Sequence, residues 1–257
     1  MYQLLAYIKY WLLSVDEHSL HSPFLYKCYT EVVKSKSNTR DPAIEELRKQ
    51  LLRNDTIVEI EEMGAGSRVN SSNSRKISEI AKHSATPTRF SLLLLRIIQQ
   101  YDFKGIVELG TSLGLNTAYL AKSNEEVKVT TFEGSGTIAG LANQHFEQLG
   151  LSNIEVVIGN IDQTLETWLA TASPIDLAYL DANHRYEPTI RYFELLLPKI
   201  NQQGMIILDD IHWSKEMNLA WNELKNHPQV SLSIDLFEGG ILFLNPEIPK
   251  DQYILSF

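Results

Sequence analysis

The chain is poor in cysteine, in basic charge and in long apolar runs. Its 257 residues include a single cysteine, Cys28. That excludes a disulfide framework within the chain and a cysteine-based zinc cluster. It suits a reducing compartment, and a cytoplasmic location is expected. Lys and Arg number 23 against 32 Asp and Glu, a formal charge of −9. A global basic footprint is therefore missing, and neither nucleic acid nor a membrane is an expected partner. No run reaches transmembrane length. The apolar stretch Tyr2 to Val15 carries Lys9 in its middle and lacks both a basic n-region and a small-residue cleavage site. Leu4, Leu5, Ile8, Leu12 and Val15 share one helical face, so a helix packed on the body of the protein is expected there. No internal repeat is present.

What the chain does contain is ordinary for a packed protein: 44% hydrophobic and 21% charged residues. Its length predicts one large domain, or one domain with an appendage. The charge is uneven. Residues 1–100 hold 14 Lys/Arg and 11 Asp/Glu, whereas residues 101–257 hold 9 and 21. Such asymmetry suggests two different jobs.

Residues 1–100 read as mainly helical and are expected to form an N-terminal cap or lid. Asp41-Pro42 and Thr86-Pro87 each open a helix. Residues 63–74 form a polar Gly/Ser/Asn loop, which with Arg68, Arg75 and Lys76 is the expected edge of that lid. From Lys104 onward, short β-rich runs alternate with helical stretches. The runs are 106–109, 127–132, 154–158, 175–180 and 205–208. This alternation predicts a doubly wound, mostly parallel α/β sheet in a domain spanning 101–257. Two more runs, 231–237 and 241–244, are separated only by Glu238-Gly239-Gly240. No crossover helix fits in three residues, so these two must form an antiparallel hairpin. Seven strands are expected in all.

The loop after the first of these strands reads Glu108-Leu109-Gly110-Thr111-Ser112-Leu113-Gly114. The GxGxxG fingerprint of nicotinamide enzymes is not met there. A carboxylate, Glu133, ends the next strand and can accept both hydroxyls of a ribose. The third strand runs into Gly159-Asn160-Ile161-Asp162, where Asp162 either caps the next helix or, with Asn160, is available to a ligand.

The sheet with its terminal hairpin and the acidic-x-Gly-x-x-x-Gly loop resemble the Rossmann-like class I S-adenosylmethionine (SAM)-dependent methyltransferases. The resemblance implies that SAM is held by Glu108, Gly110, Thr111, Ser112, Gly114, Asn116, Glu133, Gly134, Asn160, Ile161 and Asp181. Gly110 would let the backbone approach the methionine moiety. Glu108 would sit opposite its amino group.

Two further loops are rich in acids and histidines. One is Asp181-Ala182-Asn183-His184-Arg185, the other Asp209-Asp210-Ile211-His212-Trp213. Like charges gathered in one crevice need a cation or protons. Their hard oxygens suit Mg²⁺, Mn²⁺ or Ca²⁺. Asp181 with the Asp209-Asp210 pair resembles the metal-dependent O-methyltransferases of the catechol, caffeoyl-CoA and macrolide-sugar types. The resemblance implies a cation on Asp181, Asp209 and Asp210 and methyl transfer to an oxygen of a small-molecule acceptor. Asp181, His184 and His212 are the catalytic candidates, with His212 preferred as general base because it adjoins the acid pair. The alternatives are a metal-independent methyltransferase and a non-catalytic SAM-binding protein. The N-terminal helices are further candidates for pairing subunits.

Overall fold

The computed structural model describes residues 1–35, 40–60 and 74–257. They fall into two compact units: Met1–Lys36 with Ala172–Phe257, and Ser37–Thr171. The expected lid loop lies outside the described residues, except for residues 74–76 at its end.

The first unit begins with helix α1 (Tyr2–Leu13) and the short α2 (Pro23–Lys27). Ser22 Oγ caps α2 by accepting from Leu25 N, and Pro23 takes a first-turn position where no N–H is missed. A π-helical turn, Cys28–Val33, continues it.

The second unit opens with α3 (Pro42–Leu51). Asp41 Oδ1 caps it by accepting from Ala43 N and Ile44 N at 2.9 and 3.0 Å. An antiparallel ribbon follows, β1 (Ile57–Glu59) with β2 (Ser74–Lys76), then α4 (Ile77–His83) and α5 (Thr88–Tyr101). The strand–helix alternation then runs β3 (Gly105–Leu109), α6 (Leu115–Ala121), β4 (Lys128–Glu133), α7 (Gly136–Gln148), β5 (Ile154–Ile158) and α8 (Ile161–Leu169). β4 pairs in parallel with β3 on one side and β5 on the other. Apolar faces of α3, α4, α5 and α6 meet in one cluster that includes Ile44, Leu47, Ile80, Leu95 and Tyr119. Burial of these side chains, each worth about 1.5–3 kcal/mol, holds the helices together.

The chain then returns to the first unit with β6 (Ile175–Leu180), α9 (Tyr186–Leu196), β7 (Ile200–Asp209), α10 (Lys215–Leu224), β8 (Leu232–Asp235), β9 (Gly239–Phe243) and β10 (Asp251–Ile254). The strand order here is β10-β8-β9-β7-β6. β6 and β7 are parallel, as are β10 and β8, while β9 runs antiparallel to both β7 and β8. Gly240 is required in β9, because a Cβ there would come within 2.5 Å of the Trp221 ring on α10. Val15 bridges Leu255, and the Tyr10 hydroxyl donates to the Leu255 carbonyl at 2.6 Å, tying α1 to the end of the chain.

Eight strands of mostly parallel α/β sheet are thus divided five and three between the units, with the expected antiparallel hairpin present. The expected count was seven. The extra strand, β10, has four residues, two of them polar and exposed, and gives no alternating signal. The polar run Asn201-Gln202-Gln203 likewise hid the first half of β7. Residues 74–76, expected in a loop, form β2. Helix α1 packs on the body through Tyr10, but the face is corrected: Leu4, Leu5, Ile8 and Leu12 of the expected apolar face are exposed. Its apolar pattern did not say which side would be covered. Among the described residues no helix is long and apolar enough to cross a membrane.

Candidate active site

The glycine-rich loop of the second unit follows β3. Gly110 (φ 107°), Ser112 (φ 48°) and Gly114 (φ 77°) all lie in the left-handed region. Gly114 is doubly constrained, since a Cβ would also meet the Phe146 ring at 2.5 Å. The N–H groups of Gly110 and Thr111 both donate to the Phe132 carbonyl at 3.0 Å, fixing the loop to the end of β4.

Glu108 lies beneath this loop and is fully buried. Its Oε1 accepts from Asn116 Nδ2 at 2.8 Å, and its Oε2 from the hydroxyls of Thr117 and Thr131 at 2.5 and 2.7 Å. Burial pushes its pKa up to about 7, against the pull of these three donors. The carboxyl therefore clasps β3, β4 and α6 together from inside. Asn116 Oδ1 is buried with no hydrogen-bond partner among the described residues.

Glu133 closes the other side of the loop. Its Oε2 accepts from Ser112 N at 2.9 Å and its Oε1 from Ser135 N at 3.0 Å. Burial raises its pKa, and the N–H groups of Ser135, Ser112 and Gly134 oppose the rise. The Glu133 carbonyl accepts from Gly159 N at 2.9 Å, which brings the next loop alongside. There the helix cap is Asn160, whose Oδ1 accepts from Asp162 N at 3.0 Å. Asp162 is exposed in the first turn and is not the cap. Ile161 opens α8 and is partly exposed.

In the first unit the loops after β6 and β7 bring Asp181, His184, Asp209 and Asp210 together. Asp209 is hydrogen-bonded to Asp181, and its pKa is raised well above the usual carboxylate range, first by burial and then by the charges of Asp181 and Asp210. Burial likewise raises Asp210, with His184 opposing and Glu238 adding to the rise. Asp210 sits at φ 53° and its N–H donates to the Glu238 carbonyl at 2.7 Å. His184 Nε2 lies 3.4 Å from Asp181 Oδ1. His184 Nδ1 is buried and has no hydrogen-bond partner among the described residues.

His212 is held apart from this set. Its Nε2–H donates to Asp235 Oδ2 at 2.8 Å and its Nδ1 accepts from Asn218 Nδ2 at 3.1 Å. The ring stacks on Phe237, 5.3 Å between centroids. Both ring nitrogens are thus engaged. Asp235 Oδ1 also accepts from Phe237 N at 2.9 Å and supports that residue at φ 69°. Sequence reasoning passed over Asp235, Phe237 and Glu238, because Glu238-Gly239-Gly240 reads as a hairpin turn and nothing more. Among the described residues, no group of three or more His, Cys, Asp or Glu side chains is arranged so that it could hold a metal ion.

Residues 107–211 match a family model described as a methyltransferase domain. No curated protein sequence matches the chain. Several solved structures do. The SAH-bound methyltransferase PaMTH1 of Podospora anserina has a TM-score of 0.63 at 14% identity, covering 88% of this chain and 97% of that one. An O-methyltransferase from Bacillus cereus, in complex with SAH, has a TM-score of 0.60 at 21% identity, covering 82% and 93%. The O-methyltransferase TomG of Streptomyces achromogenes, in complex with SAM, has a TM-score of 0.58 at 16% identity, covering 85% and 94%. The chain therefore has the class I methyltransferase fold, and its residues 107–211 are similar to the methyltransferase-domain model.

Proposed function

We propose that the protein transfers a methyl group from SAM to an oxygen of a small-molecule acceptor. The observation that carries this reading is the clasp around the glycine loop. Its backbone is fixed by Phe132 and Glu133, and Glu133 presents a carboxylate already aligned by backbone donors. In this reading Glu133 accepts from the ribose hydroxyls, with Gly134 beside it. The buried, unpartnered Asn116 Oδ1 fits the cofactor ammonium group. Glu108, whose oxygens already accept from three side chains, positions Asn116 instead of reaching the cofactor itself. Gly110, Thr111, Ser112 and Gly114 form the close-approach surface, while Asn160 and Ile161 border the adenine. Residues 1–100 serve as the acceptor cap.

Asp181, Asp209 and Asp210 are the proposed ligands of a divalent cation, Mg²⁺, Mn²⁺ or Ca²⁺. Their hard oxygens are of the kind such an ion takes, and burial with the charges of Asp181 and Asp210 holds Asp209 toward its neutral form, although among the described residues these acids are not arranged to hold an ion in this structure. When bound, SAM supplies the electrophilic methyl group and the cation supplies positive charge for an ionised acceptor oxygen. In this reading His184 takes the acceptor proton, supported by an Nδ1 that has no hydrogen-bond partner among the described residues. His212 would have to give up Asn218 or Asp235 to do so, which makes it the second candidate for the base. Holding the oxygen in line with the methyl is the main catalytic task left to the protein. A metal-independent variant of the same reaction is favoured by one observation, the raised pKa of Asp209, which burial and the neighbouring Asp181 and Asp210 hold toward its neutral form.

Calorimetry on purified protein tests the assignment. SAM and its product SAH should both bind, and Glu133→Ala should weaken SAH binding at least tenfold. Absence of heat and of any thermal shift with either compound overturns it. Titration with Mg²⁺, Mn²⁺ and Ca²⁺ tests the cation. A thermal shift that vanishes in Asp209→Asn and Asp210→Asn supports it, and a shift unchanged in both variants removes the ion from this site.

A further inference from the structure

Helix α7 lies behind the glycine loop and meets it with two consecutive residues. The buried stripe of the helix is Ile138, Ala139, Ala142, His145 and Phe146, spaced so that they share one covered face. His145 is the polar member of that stripe. At the start of the helix, Ser135 supplies the cap and also gives its N–H to Glu133 Oε1. Toward the other end, His145 and Phe146 grip Leu113 and Gly114. The Phe146 ring fills the space that a Cβ at Gly114 would need. His145 Nδ1 lies 2.9 Å from the Leu113 carbonyl, a contact spanning 32 residues of sequence. A carbonyl can only accept, so the proton is on Nδ1. Burial lowers the pKa of the ring, with the bond to Leu113 opposing, and this favours the neutral imidazole.

We propose that His145 is a positioning residue for the cofactor: its Nδ1–H fixes the Leu113 carbonyl and so holds the glycine loop in the conformation that receives SAM. This rests on the reading of that loop as the SAM site. Backbone geometry is the first argument. Leu113 stands between Ser112 at φ 48° and Gly114 at φ 77°. A non-glycine residue keeps a left-handed conformation only where its surroundings over-determine it. Hydrogen bonding is the second. Leu113 is buried, and among the described residues no backbone N–H reaches its carbonyl. A buried carbonyl deprived of its donor is costly, so without His145 the loop would shift to find another. That shift would move the groups on either side. Ser112 N, which donates to Glu133 Oε2, precedes Leu113, and Asn116 follows in the first turn of α6. Phe146 cannot replace the imidazole. Its ring fixes where the loop cannot go, whereas His145 fixes where the carbonyl points.

Two kinds of substitution separate this role from packing. His145→Asn keeps a donor near the Nδ1 position and loses volume. His145→Leu keeps volume and loses the donor, and His145→Phe serves as a second donor-free variant. Calorimetric titration with SAH should show affinity roughly tenfold weaker in His145→Leu and His145→Phe, because the loop is then formed only part of the time. His145→Asn should stay within about threefold of the wild type, since its amide donates in place of the ring. Unliganded melting temperature should follow the opposite order, with His145→Asn lower than His145→Leu, because lost volume leaves a cavity. Hydrogen exchange without SAH should be faster over residues 110–117 in the donor-free variants and unchanged over β7.

The proposal is overturned if SAH affinity follows the order of stability. It is equally overturned if exchange over residues 110–117 in the donor-free variants matches the wild type. Binding that is weakened by Glu133→Ala but untouched by His145→Leu removes this role alone and leaves the cofactor site standing. A wild-type protein that binds no SAH removes both.

Discussion

Glu108 shows how much a single side chain can carry. Its carboxyl is surrounded by three donors and no solvent, and its pKa stands at about 7 instead of 4.5. The neutral form is thus the one the fold favours. Below pH 4.5 the group is protonated in both folded and unfolded chains and has no effect on stability. As pH rises from 4.5 to 7, the unfolded chain ionises while the folded one keeps its proton, so stability falls and then levels off once the folded carboxyl ionises as well. The shift corresponds to on the order of 3 kcal/mol lost between those limits. Urea unfolding of the wild type and of Glu108→Gln at pH 5 and pH 8 measures this. The variant should lose most of that difference, and an equal pH dependence in both proteins would contradict the burial of the charge. The position of Glu108 at a strand end was legible in the sequence. Its three partners were not, because Thr131 lies 23 residues away on another strand.

At the scale of elements, the turn between β8 and β9 does more than reverse the chain. Asp235 ends β8 with both oxygens in use, one toward His212 and one toward Phe237 N. The turn then returns its Glu238 carbonyl to Asp210 N. The loop that carries the acid pair is therefore braced from the hairpin by backbone and side chain alike. Asp235→Ala leaves a ring N–H and a backbone N–H without their acceptor. The expected cost is about 1–3 kcal/mol, read from thermal or urea unfolding. SAH affinity, which the proposed function assigns to the glycine loop, should change less than twofold. A parallel loss of SAH binding would show that the two effects are coupled. The hairpin itself was readable from its three-residue spacing, since so short a linker allows nothing else. The bracing was not, because Asp235 finds its partner His212 at a separation of 23 residues.

For the whole molecule, ligand binding and stability are linked by mass action. If SAH binds only the folded chain, SAH at 100 times its dissociation constant should add about 2.7 kcal/mol. In a chain of this size that raises the melting temperature by roughly 5–10 °C. Differential scanning fluorimetry over a series of SAH concentrations checks it. A flat response at saturating SAH would contradict selective binding to the native state. Glu133→Ala should shift the whole series to higher concentration without altering the unliganded melting temperature by more than a few degrees.

Local pattern alone determined the fold class of this protein and the loops proposed to hold its chemistry. Strand and helix periods, proline and cap residues, and the glycine spacing are all written within a few residues of where they act. Thus Gly110, Gly114, Glu133, Asp181, Asp209 and Asp210 were placed at strand ends before any coordinates. The tertiary structure decided what those residues touch. It turned Glu108 into an internal clasp and made Asn160 the cap in place of Asp162. It engaged both nitrogens of His212 and left Nδ1 of His184 without a partner. It also turned the broad apolar side of α1 outward. Each of these depends on a group distant in sequence, such as Thr131, Asp235 or Leu255. A hydrophobic or acidic residue declares what kind of environment it needs, but only the folded chain supplies the neighbour that meets the need.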